Sequence, residues 1–205
     1  LLIAGVEDII LEEYRNGRST FMSRTRSLVV TGLLIALSVI LTRFASFRLV
    51  IGGVEAIRIG FGALPNIMAG ILLGPLYGAI SGALADIIGF ILSPMGPGYM
   101  PHFTLTSALM GAIPGVVVRL LNRDRQMTSL PFLHLFAAAF SGIALVSCGL
   151  TPYFLHHLYG ISYSIIMPPR LISGAIEVFI YSYVLRFIYT PVAKIAIRPQ
   201  AVLPE

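Results

Sequence analysis

The sequence predicts an all-α, polytopic membrane protein with six transmembrane helices and both termini in the cytoplasm. The first observation is composition: of 205 residues, 57% are hydrophobic and 11% charged. A water-soluble domain carries about 25% charged residues, and the mean hydropathy here is +0.89. The second is blocking. Apolar residues gather in runs near the ~20 residues that a bilayer-crossing helix takes, which leaves room for about six spans and little else. The third is what lies outside the runs: most of the arginines, the Gly74-Pro75 turn and the Pro/Gly-dense connector 93–101, which breaks helix and strand alike. This composition excludes a disordered chain, a collagen-like fibre and a disulfide scaffold, and leaves no room for an appended soluble catalytic domain.

Residues 1–26 are set apart. Leu2, Val6, Ile9 and Ile10 share one face at helical spacing, while Glu7, Asp8, Glu12 and Glu13 make the rest acidic. This reads as an amphipathic surface helix or a cytoplasmic tail; alternatively Met22 is the start and the upstream residues are an extension. Residues 27–205 form the membrane domain. Its first span, 28–42, is entered from Arg24 and Arg26. A polar stretch with Arg43, Arg48, Glu55 and Arg58 leads to the second, 60–73, and Gly74-Pro75 turns into the third, 76–92. A Pro/Gly-dense connector, 93–101, precedes the fourth span, 103–121, and the charged loop 122–128 precedes the fifth, 130–150, which stays apolar and aromatic as far as Tyr159. The sixth starts after Pro168-Pro169 and runs to about 189. More spans follow the first, with no small-residue cleavage pattern, so it is not a signal peptide. No internal repeat supports an inverted-repeat carrier.

Orientation follows from the basic residues. With both ends on one side, that side collects ten of the 14 Lys and Arg residues, and only Arg43, Arg48, Arg58 and Arg170 fall opposite. The majority side is cytoplasmic. The four outer arginines form a basic vestibule that attracts an anionic solute, or else three of them simply solvate one loop. Scattered over loops, the net charge of +5 is not a nucleic-acid signal.

Ionisable groups inside spans are costly and mark sites by default. Asp86 in the third span and Glu177 in the sixth are the two. Each lies seven residues, roughly 10 Å, below the outer end of its helix, at Ser93 and Arg170 respectively. Two acids at similar depth beneath arginines describe a polar pocket open to the outside; the structural alternative is that they pair with Arg58 or Arg170 and hold helices together. Gly70, Gly74, Gly78 and Gly82 recur at steps of four, which lets backbones approach closely and predicts tight packing of the second and third helices. Aromatic residues cluster near the outer side, as an interfacial belt or as stacking partners for a flat heteroaromatic ligand.

Absences narrow the chemistry further. The only lysine is Lys194 and no G-x-x-x-x-G-K-[ST] occurs, so the chain has no P-loop. No H-E-x-x-H, no G-x-S-G and no potassium-filter motif is present, and adjacent His156 and His157 point to different sides of a helix. No catalytic residue, metal site or cofactor is expected. Cys148 is the only cysteine, so no internal disulfide is possible.

The run Arg58-Ile59-Gly60-Phe61-Gly62-Ala63-Leu64-Pro65 leads to Ala69-Gly70 and Leu73-Gly74-Pro75-Leu76-Tyr77-Gly78, then Ala85-Asp86-Ile87-Ile88-Gly89, Pro94-Met95-Gly96-Pro97-Gly98-Tyr99 and Pro101-His102-Phe103-Thr104. Over about residues 28–190 this resembles the substrate-binding S components of energy-coupling factor (ECF) vitamin transporters, specifically the folate family. The resemblance implies a six-helix protein that captures a vitamin from outside without catalysis. A membrane scaffold subunit and two ATPase subunits, supplied in trans, would energise its transport. It further implies scaffold docking through a small-xxx-small step, matched here by Gly32 and Ala36.

Arg58, Asp86, Tyr99 to Thr104 and Arg170 sit at matching motif positions. By this resemblance Asp86, with Glu177 second, takes the amino-pyrimidinone edge of a pterin through two hydrogen bonds. Phe61, Tyr99 and Phe103 stack on the ring, and Arg48 and Arg170 face the glutamate tail. The chain departs from the family in reading Leu150-Thr151-Pro152 where an Asn-Thr pair is usual, and in lacking Trp. The alternatives are the same role for pantothenate or another small anionic vitamin, and a non-transporting membrane scaffold protein.

Overall fold

A largely apolar run between Arg26 and Arg43 makes α1 (Arg24–Phe44) a helix of 21 residues. In the computed structural model, which describes residues 24–51, 54–92, 99–122 and 130–196 (side chains of 47–51, 54–59 and 194–196 excepted), it is followed by a β-hairpin and five further helices. The hairpin pairs β1 (Ser46–Ile51) with β2 (Val54–Gly60), and the helices are α2 (Ala63–Leu73), α3 (Pro75–Leu92), α4 (Pro101–Leu121), α5 (Phe132–Tyr159) and α6 (Tyr163–Ala196). Five of them, all but α2, are long and apolar enough to cross a membrane. The helical class stands, and the proposed 1–26 segment lies outside the described residues apart from the first turn of α1.

The second helix differs from a full span. Its 11 residues reach only about 16 Å at 1.5 Å each, roughly half the ~30 Å hydrocarbon core. A helix that is apolar all round is a buried one, and every residue of α2 after Ala63 is buried. Ile67 and Ala69 are fully enclosed in the main core, with Val118 of α4, Leu135 and Ala138 of α5 and Leu185 of α6. Inside that core Ser81 of α3 donates to Asn66 Oδ1 of α2 at 2.8 Å, a polar contact between helices that lipid cannot replace.

The glycine stripe has a partner outside the second and third helices. A Cβ built on Gly70 or Gly78 would lie 2.0 or 2.3 Å from the Gly111 carbonyl oxygen, and one on Gly82 would lie 2.0 Å from that of Ser107. Gly111 and Gly115 return the contact, against Gly78 and Gly70 respectively. The close packing therefore joins three helices, α2, α3 and α4. Gly74 serves a different purpose, turning the chain at φ +116°, beside the Arg119 side chain that donates to the Leu73 carbonyl at 3.5 Å. A cation there offsets the partial negative charge of the α2 C-terminus.

Two local outcomes correct the sequence expectation. The stretch expected as a polar loop is an antiparallel ladder, with Arg48 opposite Arg58 and Ser46 opposite Gly60. Alternating residues around Gly52-Gly53 are a hairpin signal. The sixth helix begins at Tyr163 and carries Pro168 and Pro169 within it, where the expected start lay after them. Proline inside a membrane helix removes donors rather than ending the helix when neighbours re-satisfy the backbone. In α5, eight residues from Ile143 to Leu150 widen into π-helical turns. They end two residues before Pro152, whose ring would collide with the Cys148 carbonyl four residues back in α geometry.

Candidate functional site

Asp86, half-buried on α3, is oriented from α4. Thr104 in the first turn of α4 donates to Asp86 Oδ2 at 2.7 Å, and the Tyr99 hydroxyl lies 2.7 Å from the same Thr104 oxygen. A threonine hydroxyl has one proton; Thr104 places it on the carboxylate, so Tyr99 is the donor to Thr104. The relay runs from Tyr99 through Thr104 to Asp86. Phe90, one turn beyond Asp86, meets the Tyr99 ring edge-on, with centroids 5.5 Å apart. Among the described residues Asp86 Oδ1 takes no hydrogen bond and stays open as an acceptor.

Arg43, in the last turn of α1, donates from Nη2 to the carbonyl of Gly89, three residues past Asp86. Its Nε and Nη1 are buried and have no hydrogen-bond partner among the described residues. Arg43 was expected only as one of four outer cations. Neither composition nor spacing marks which outer arginine reaches α3.

Glu177 does different work. At 8% exposure on α6, it accepts the Gly60 N–H at 3.3 Å, while Tyr181, one turn on, donates to the Gly60 carbonyl. Together they hold both backbone groups of the last hairpin residue. From the other side, Ser38 of α1 donates to the Gly62 carbonyl at 2.6 Å, and the Phe61 N–H donates to the Ala45 carbonyl at 3.2 Å. The hairpin base is thus fastened between α1 and α6. Helical spacing from Glu177 signals Tyr181, but nothing in the sequence signals Gly60.

The remaining expected residues are dispersed. Phe61 is half-buried against the main core, and Phe103 is half-buried beside His102 at 4.4 Å, with Phe154 of α5 5.2 Å from His102. The half-buried Arg170 offers its carbonyl to Ser173 at 3.2 Å and to the Cys148 thiol at 3.7 Å. Arg48 and Arg58 face each other in the ladder, and their side chains lie outside the described residues. The structure joins Asp86, Thr104 and Tyr99, and places Glu177 against the hairpin base.

Gly32 and Ala36 are exposed on α1. They line an open apolar groove of about 450 Å³ with Ile88 and Leu92 of α3. At 100° per residue those two lie on the opposite side of α3 from Asp86, so groove and acid are separate surfaces of one helix.

Comparison with known proteins places the chain as a whole. The folate transporter FolT of Clostridium novyi (strain NT) is 35% identical over 92 residues, 45% of this chain and 49% of that protein. The match thus spans about half the length of that curated relative. A crystal structure of FolT bound with folic acid superposes with a TM-score of 0.67 at 27% identity, covering 82% of this chain and 97% of that one. The S component of a bacterial ECF transporter shares the fold, with a TM-score of 0.63 at 21% identity over 84% of this chain and 98% of that one. The family model for the S component of ECF-type riboflavin transporters matches residues 22–194. The two kinds of match name different vitamins and agree on the architecture and the transport role. A multi-pass protein of the cell membrane, the chain belongs to the family of ECF-type riboflavin transporter S components.

Proposed function

We propose that the protein captures folate or a close relative at the outer membrane face. It passes the vitamin inward as the S component of an ATP-driven ECF importer, with its termini in the cytoplasm. The observation that carries the choice of ligand is the open oxygen of a carboxylate oriented by Tyr99 and Thr104. An ionised carboxylate only accepts. A pterin presents an amino group and a ring N–H side by side, a matched pair of donors. A flavin presents one N–H flanked by two carbonyl oxygens, which a carboxylate repels. Riboflavin, the vitamin in the family description, is therefore the second reading, and pantothenate the third.

Energy has to come from elsewhere, because the sequence holds no P-loop. The partners are a membrane scaffold subunit, docked on the Gly32 and Ala36 groove, and two ATPase subunits.

Thermal unfolding of the purified protein tests the reading. A ligand at a hundred times its Kd stabilises the folded state by about 2.7 kcal/mol. Folic acid or a reduced folate should raise the midpoint, and riboflavin and pantothenate should not. A rise with riboflavin or pantothenate alone would overturn the folate assignment. No response to any of them would overturn vitamin capture at this site.

A further inference from the structure

We infer that Arg43 is a specificity-determining residue of the Asp86 site, reading a hydrogen-bond acceptor on the ring whose donors Asp86 holds. The inference rests on the proposed folate function and deepens it.

The observation is a buried guanidinium only partly used. Nη2 caps the Gly89 carbonyl, one of the last four carbonyls of α3, which have no partner within the helix. That explains one nitrogen. Nε and Nη1 are buried without a partner among the described residues, and a buried donor left unpaired is costly. A ligand acceptor removes that cost.

Position decides which acceptor. Gly89 lies three residues from Asp86, about 4.5 Å further along the axis and 60° around it. The guanidinium anchored there sits about one helical turn outward of the carboxylate, a separation close to the width of one pyrimidinone ring. Arg43 and Asp86 form no ion pair with each other among the described residues, so each is left for a third group. Their charges sum to zero, and a neutral ring fits between them without a counter-ion. It must offer donors to one side and an acceptor to the other. The pterin ring has this layout, with its oxo oxygen next to the N–H that faces the carboxylate. An amino group at the oxo position would point a donor at a donor.

Three ligands separate the roles: folic acid, its 4-amino analogue, in which the oxo acceptor becomes an amino donor, and pteroic acid, which lacks the glutamate tail. Affinities are measured by titration with the purified full chain and its Arg43→Gln and Arg43→Lys variants. Arg43→Gln should bind folic and pteroic acids about 10-fold or more weakly and the 4-amino analogue within about 3-fold of the parent. Arg43→Lys keeps the cation at the end of α3. Should the glutamine variant not fold, the lysine variant carries the test, with the same order of ligands and a smaller loss. Equal losses for all three ligands would reduce Arg43 to a helix cap, and no loss would remove it from the site. A loss for folic acid that vanishes for pteroic acid would move it to the tail. Each of these overturns the inference alone. Failure of the parent to bind folic acid overturns the proposed function, and the inference with it.

Discussion

Thr104 holds one oxygen of Asp86, and Tyr99 holds Thr104, so the orientation of the carboxylate is set by the protein itself. Hydrogen bonds to a charged group contribute about 1.5–3 kcal/mol, and Asp86→Asn should weaken folate binding about 10- to 100-fold. Thr104→Val frees the carboxylate to rotate and should cost about 3- to 10-fold, roughly one neutral hydrogen bond. Glu177→Gln still presents an oxygen to the Gly60 N–H and should stay within about 3-fold of the parent. Titration calorimetry on the three variants gives the ranking. An Asp86→Asn protein that binds as tightly as the parent would take Asp86 out of the site. Both acids were legible in the sequence because a charge within an apolar span is rare. Their different partners were not, Thr104 in one case and Gly60 in the other.

At the scale of elements, close approach of backbones holds α2, α3 and α4 together. A Cβ on Gly78 would stand 2.3 Å from the Gly111 carbonyl oxygen and 2.6 Å from the Gly70 Cα. Backbone cannot swing aside as a flexible side chain can, so Gly78→Ala and Gly111→Ala should each destabilise by about 1–3 kcal/mol. Gly32 has nothing within 4 Å of its Cβ position, so Gly32→Ala should leave stability unchanged or slightly raised. Unfolding midpoints in detergent give the comparison, and matching losses at Gly32 and Gly78 would refute the packing argument. A bulkier change at Gly32 probes the groove instead. Gly32→Leu should keep folate affinity in the purified protein and abolish uptake by cells; uptake at the parent rate would show that the scaffold docks elsewhere. The four-residue glycine repeat was visible in the sequence. Its engagement with Gly111 and Gly115 was hidden, because spacing identifies a small-residue face and says nothing of what it meets.

For the molecule as a whole, the distribution of Arg and Lys predicts which ends face the cytoplasm. In a Cys148→Ser background, an impermeant thiol reagent added to intact cells should label Gly52→Cys and spare Gln126→Cys. The opposite pattern would invert the topology and turn Asp86 towards the cytoplasm. In the expected orientation the outer face is assembled from distant parts of the chain, with α1 reaching α3 through Arg43 and the hairpin base reaching α6 through Glu177 and Tyr181.

Membrane residence, the run of apolar helices, the one-sided bias of the cations and the two intramembrane acids were determined by the sequence alone. Each is a property of one segment, and the energies of transferring that segment into lipid decide it. Which polar groups meet was settled only by tertiary structure. Asp86 and Thr104 are 18 residues apart, and Gly60 and Glu177 are 117 apart. Helical periodicity places a side chain on a face, but the partner of that face depends on how closely helices approach, and here bare backbone at the glycines sets that distance.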